Sequence, residues 1–257
     1  TFGTDGIDII TLSNNALVTL TNSTISGNTQ VTTINLGYSG VGTLQIDETS
    51  RLVLSNANTY VVGTGGLIKA GAGTLQLSGN HTYGGGFTLE SGKVYVTNSG
   101  AANGNGTAVA NSAFGSGALT LRGGSIVSTT DTGRTIFNAI ALDGSVSITS
   151  NVSGDAGNFT VSTSAGQSTT LLSDSTLTVP GTATTNNTVV GGQVTWNQTI
   201  GGSFTLTKSG TGTLVLNGVN TQSGLTVNDG TVTAGYDTAN STPLGTLGSS
   251  SVALTLH

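Results

Sequence analysis

Residues able to do acid–base, nucleophilic or metal chemistry are scarce in this 257-residue chain, which holds 11 acidic residues, 6 basic residues, 2 His and no Cys. A polysaccharide lyase or hydrolase would need at least two carboxylates on one side of a groove. Asp47 and Glu48 are adjacent, so on a strand they face opposite sides. Asp131, Asp143, Asp155 and Asp174 fall beside turn residues, where Asp commonly bonds its own backbone. Asp131 with Arg134 reads as a local ion pair on a loop. His81 lies in a loop whose two echoes carry Asn58 and Asn220, which marks a tolerated polar position; His257 is the last residue.

Other chemistries lack their parts. No Gly-x-Ser-x-Gly elbow leads into a helix, as a serine nucleophile of that type requires. Gly3-Thr4-Asp5-Gly6-Ile7-Asp8-Ile9 is one imperfect copy of a calcium-binding nonapeptide that works only in tandem stacks, so it reads as a turn and a first strand. Zinc has no ligand set without Cys and with one usable His. Gly84-Gly85-Gly86 and the Gly-x-Gly-Thr-Leu segments lead into strands, whereas a phosphate loop delivers its ligand to a helix N-terminus. No catalytic, cofactor-binding or metal residue is assigned, and no cofactor is expected. Among the aromatics, Phe87 and Phe204 are expected in a core. Trp196 alternates with Val194 and Gln198, which favours the core over an exposed sugar-stacking platform.

The elements that carry these residues follow from composition. Gly alone supplies 41 residues, and Thr (48), Ser (29) and Asn (22) bring small polar residues and Gly above half the chain. Charged residues are 7%, far below the ~25% usual in globular domains, so there is too little Glu, Lys, Gln and Arg to cover exposed helix faces. Val, Ile, Thr and aromatics in strands, with Gly, Asn, Asp and Ser in turns, make an all-β chain. A mean hydropathy of +0.14 and a net charge of only −5 exclude disorder. No run approaches the ~20 apolar residues of a membrane helix, so no membrane insertion by this segment is expected. A pI near 4.6 and six scattered basic residues argue against nucleic acid. The chain begins at Thr1 without Met, which points to a segment upstream.

Internal repeats set the architecture. Lys69-Ala-Gly71-Ala-Gly73-Thr74-Leu75-Gln76-Leu77-Ser78-Gly79 recurs as Lys208-Ser-Gly210-Thr-Gly212-Thr213-Leu214-Val215-Leu216-Asn217-Gly218. After one deletion, Phe87-Thr88-Leu89 through Val94 matches Leu225-Thr226-Val227 through Val232. A shorter copy is Gly40-Val41-Gly42-Thr43-Leu44-Gln45-Ile46. Short period-2 strands recur with turns every ~8–12 residues and echoes every ~20–30, without a helix, and that rhythm selects a solenoid over hairpins. The expectation is a right-handed parallel β-helix (β-solenoid) of roughly a dozen coils of ~22 residues, a rod of ~55–60 Å at the ~4.8 Å strand spacing. It is taken as one unit over 1–257, with repeat units about 37–60, 66–128 and 205–257, cut in mid-repeat and so a fragment of a longer chain.

The pattern Lys-x-Gly-x-Gly-Thr-Leu-x-Leu-x-Gly, then a short Asn/His-Thr-Tyr loop, then Gly-Phe-Thr-Leu-x-x-Gly-x-Val-x-Val resembles the passenger-associated transport repeat of bacterial autotransporters (autotransporter-associated β-strand repeat proteins). The resemblance is close over about 66–128 and 205–257 and weaker at 37–60. It implies export and display at the bacterial cell surface or outside the cell, with an outer-membrane β-barrel C-terminal to such a segment. The leading expectation is a noncatalytic stalk or adhesin whose partner is a host or neighbouring-cell surface or a glycan. The alternative is a self-assembling subunit of an extracellular fibre or sheath, copies meeting end to end. The third is a polysaccharide-acting enzyme.

Overall fold

The computed structural model describes residues 9–11, 17–20, 24–26, 33–36, 40–54, 60–106, 108–128, 133–150, 158–163, 166–183, 189–234 and 253–256. Every regular element among them is a strand, most of three to six residues. The alternation visible in the sequence is the alternation of burial: Thr74–Leu77 and Thr213–Leu216 each place both Leu inside and the intervening residues outward.

The strands stack in parallel along three faces. The chain visits them in order, and each coil lays its strands on those of the coil before. The first face begins with Ile9–Thr11, Thr33–Leu36 and Tyr60–Gly63, and resumes with five strands from Arg134–Ile136 to Thr231–Ala234. The second face runs through eight strands from Leu17–Leu20 to Ile200–Gly201. The third face is the longest, ten strands from Thr24–Ser26 to Ala253–Leu256. Ten strands at ~4.8 Å extend about 43 Å. Coils differ in length: the chain returns quickly from Thr74 to its register neighbour Lys93, and takes a much longer path from Lys93 to Ser125. Two antiparallel hairpins lengthen such paths, Ala101–Ala102 with Val109–Asn111, and Gly181–Ala183 with Val189–Gly191.

In-register stacking makes the core a set of columns. On the second face Leu67, Phe87, Leu119, Ile140, Thr169 and Ile200 follow one another in register, all buried. On the first face Trp196 lies between Val161 and Leu216, and none of the three is exposed. Trp196 is therefore a core residue, as its alternation with Val194 predicts. Phe87 is also core, its ring 5.3 Å from that of Phe114. Phe204 departs from expectation. It precedes the strand Thr205–Ser209 at a corner and is 39% exposed, because the inward phase there begins at Leu206.

Corners are built on glycine where coils approach too closely for a side chain. A Cβ on Gly85 would lie 2.4 Å from the backbone of Gly65 and Gly66, and one on Gly117 2.4 Å from the carbonyl of Gly84. Gly84-Gly85-Gly86 is such a corner.

Candidate functional site

The inward column of the second face reads Leu44, Lys69, Leu89, Leu121, Leu142, Leu171. One member is a lysine, with no exposed surface. A buried ammonium costs several kcal/mol unless hydrogen-bonded, and here three carbonyls receive it. Lys69 Nζ donates to the carbonyls of Ala70 (2.9 Å), Gly71 (2.7 Å) and Ser91 (3.1 Å). One comes from the last residue of its own strand, one from the turn that follows and one from the matching turn of the next coil, so the side chain staples two coils from within.

Lys208 repeats the arrangement. It follows Val146 and Leu177 in an inward column of the third face, fully buried. Its Nζ donates to the carbonyls of Ser209 (2.9 Å), Gly210 (2.5 Å) and Asp229 (3.1 Å). The spacing shared by the two repeat copies has its explanation here. Gly71 and Gly210 turn with φ +77° and +78° to aim their carbonyls inward. Gly92 and Gly230 close the cradle in the next coil, at φ +79° and +76°; a Cβ on Gly92 would meet the Gly71 oxygen at 2.3 Å and Lys69 Nζ at 2.6 Å. Burial lowers the pKa of Lys69 to about 8 and also lowers that of Lys208, where the Asp229 carboxylate opposes the shift. In the sequence both lysines mark the start of the repeat and carry no evident role. The signal lies in the alternation: Leu67 and Lys69, or Leu206 and Lys208, are two apart and share a face.

A second shared device follows the Leu-rich strand. His81 is fully buried, and its Nδ1 accepts the backbone N–H of Val61 at 3.0 Å. Asn220, its counterpart in the second copy, accepts the N–H of Ile200 through Oδ1 at 2.9 Å. His81 is thus a ladder acceptor and not a loosely constrained loop residue, and Asn replaces it because both offer one lone pair at the same place. Burial lowers the His81 pKa to about 4, so the ring is neutral near pH 7. Asn58 lies outside the described residues.

A buried polar chain links the corner between the first and second faces. Ser112 Oγ donates to Asn138 Oδ1 (2.9 Å), and Asn138 Nδ2 donates to the carbonyls of Gly115 and Gly117. Gln198 Nε2 donates to the carbonyls of Asn138 (2.8 Å) and Ser162 (3.1 Å). Thr169 Oγ1 donates to Gln198 Oε1 and accepts from Trp196 Nε1, both at 2.9 Å. These groups satisfy one another within the wall of the solenoid.

The remaining candidates stay apart. Asp47 accepts from Thr49 Oγ1 in a turn at 3.2 Å, and Glu48 is exposed beside it. Asp143 pairs with Arg122 (3.1 Å), which also binds Glu90 (2.7 Å), an exposed ladder across three coils. Asp174 Oδ1 accepts the N–H of Thr205. Arg134 begins the strand Arg134–Ile136 and is not on a loop. Asp5, Asp8, Asp131, Asp155 and His257 lie outside the described residues. Among the described residues no three of His, Asp and Glu converge on a common metal position.

Residues 67–96 and 206–234 each match the family model of the passenger-associated-transport-repeat. The chain therefore carries two segments similar to the passenger-associated-transport-repeat, and each match encloses the turns of one lysine cradle. Among curated proteins and among solved structures nothing matches the chain significantly.

Proposed function

We infer that this chain is a noncatalytic β-solenoid segment of an autotransporter-like passenger, displayed at the bacterial surface or released outside the cell, where it serves as a stalk or adhesin. The observation that carries the reading is the repeated internal staple. Lys69 and Lys208 each use a costly buried cation to tie successive coils, with no opening to solvent. Such residues stiffen a rod. They offer a substrate nothing. The outer faces are lined by short polar side chains, which suits a solvated surface in the absence of cysteine cross-links.

The test is surface labelling of intact cells expressing the full-length protein, with antibody raised against this chain, followed by adherence of beads coated with the purified chain. Labelling of intact cells together with bead adherence supports the adhesin, and labelling without adherence supports the stalk alone. Signal only after permeabilisation would overturn both.

A further inference from the structure

Charge is sorted by position in this solenoid. The described acids, Asp47, Glu48, Glu90, Asp143, Asp174 and Asp229, all sit between strands, whereas Arg51, Lys69, Lys93, Arg134 and Lys208 sit on strands and only Arg122 lies with the acids. On the third face, none of the ten strands contains an acidic residue. Lys208 points inward on that face, so its exposed cations are Arg51 and Lys93.

These two occupy one outward column. Arg51 pairs in register with Thr74, and Thr74 with Lys93. Two strand spacings separate them, about 10 Å. The neighbouring column places Gln76 and then Tyr95 beside them. The Arg51 guanidinium lies 5.7 Å from the Tyr95 ring centroid and donates to Gln76 Oε1, so Arg51 is held flat across the face. Neither Arg51 nor Lys93 is ion-paired among the described residues. The closest acids in sequence are Glu48 and Glu90 at the adjoining corner, and Glu90 is engaged by Arg122. Farther along the same face most outward positions are hydroxyls, among them Ser147, Thr176, Thr178 and Thr207, with Val127 and Gly224 interrupting them.

We propose that Arg51, Lys93, Tyr95 and Gln76 on the outer third face form a binding platform for a linear acidic polysaccharide bearing uronate carboxylates, lying along the solenoid axis. This deepens the adhesin reading and rests on it. Arginine matches a carboxylate in two-point geometry, the half-buried Tyr95 ring offers apolar surface to a sugar ring, and the hydroxyl columns continue the track. A protein partner fits less well. Protein interfaces close around an apolar centre, and here Val53 and Val127 are already buried within the face. The chain's net charge of −5 repels polyanions at long range, so binding is expected only through this patch and is expected to weaken as salt rises.

The experiment is calorimetric titration of the whole chain with oligogalacturonate at low and moderate salt, beside its neutral methyl ester and poly-glutamate. The expected result is salt-sensitive binding of oligogalacturonate over both comparators. Arg51→Gln with Lys93→Gln should weaken it at least about tenfold, and Tyr95→Thr should weaken it without changing the salt dependence. Thermal unfolding of each variant confirms folding. Thr207→Asp, farther along the same face, should lower affinity only mildly; a loss as large as that of the double variant would overturn the placement of the platform. No binding, equal affinity for the ester or for poly-glutamate, or an unaffected double variant would overturn the proposal. Cell adherence separates the two readings. Wild-type and double-variant chains binding cells equally would leave the adhesin standing and remove this platform, whereas glycan binding without cell adherence would do the reverse.

Discussion

Lys69 and Lys208 hold the same three-carbonyl cradle in the two repeat copies, yet one lies near the end of a strand of the second face and the other near the end of a strand of the third. The whole repeat is displaced with them: Thr74–Leu77 lies on the third face and its counterpart Thr213–Leu216 on the first. Equivalent residues of the two copies therefore project from different sides of the solenoid. The repeat is a self-contained staple that works on any pair of faces, because its contacts run between neighbouring coils only.

Replacing either lysine by Met keeps the volume and removes the donor, leaving three carbonyls with a lost partner. Lys69→Met should cost about 2–4 kcal/mol. Because solenoids can open locally, hydrogen exchange of the turns at Gly71 and Ser91 is the sensitive measurement, and their protection should fall before that of the first face.

Gly92→Ala forces a left-handed turn on alanine and drives its Cβ against the Gly71 and Gly73 oxygens at 2.3 and 2.5 Å. A loss of more than about 2 kcal/mol is expected. Gly104→Ala, with open space around the new atom, should stay within about 0.5 kcal/mol. Melting temperatures of the two variants check the contrast.

His81 supplies a pH signature. Its folded pKa of about 4 lies below the ordinary 6.5, so between those values the unfolded chain binds the extra proton. Stability from this group is present above pH 6.5 and is lost as pH falls toward 4, up to about 3 kcal/mol. His81→Asn should keep the acceptor, as Asn220 does, and abolish that part of the acid sensitivity. Urea midpoints from pH 7 to 4 for both proteins decide it.

Lys69 acts in the alkaline range. With a folded pKa of about 8 against 10.5, the native state binds fewer protons than the unfolded chain across that window, so this group's contribution makes stability rise with pH between those values. A titration of the lysine side-chain carbons by NMR should show a resonance moving near pH 8 that is missing from the spectrum of Lys69→Met.

Trp196→Ala empties a core position between Val161 and Leu216 and also leaves Thr169 without its indole donor. A cost of about 3–5 kcal/mol is expected from the cavity. Trp196→Phe should cost less, since much of the ring volume remains; chemical denaturation of the pair separates the packing loss from the hydrogen bond.

The kind of fold is legible in one dimension. Period-2 alternation with Gly, Asn and Asp punctuation specifies short strands, and the long echo from Lys69 to Lys208 specifies stacking of like on like; Trp196 and Phe87 fall inside for the same reason. What stays open in the sequence depends on which coil lies above which. Coil length is uneven, as the paths from Thr74 to Lys93 and from Lys93 to Ser125 show, so the face carrying each repeat cannot be counted from spacing, and the second copy stands one face away from the first. A buried lysine or histidine looks merely polar when read along the chain. Only the carbonyls of Ser91 and Asp229, or the N–H of Val61, brought close by the next or previous coil, turn those residues into staples and acceptors. Arg51 and Tyr95, distant along the chain, become neighbours for the same reason: in a solenoid contact is set by coil register, and register is a property of the stacked chain.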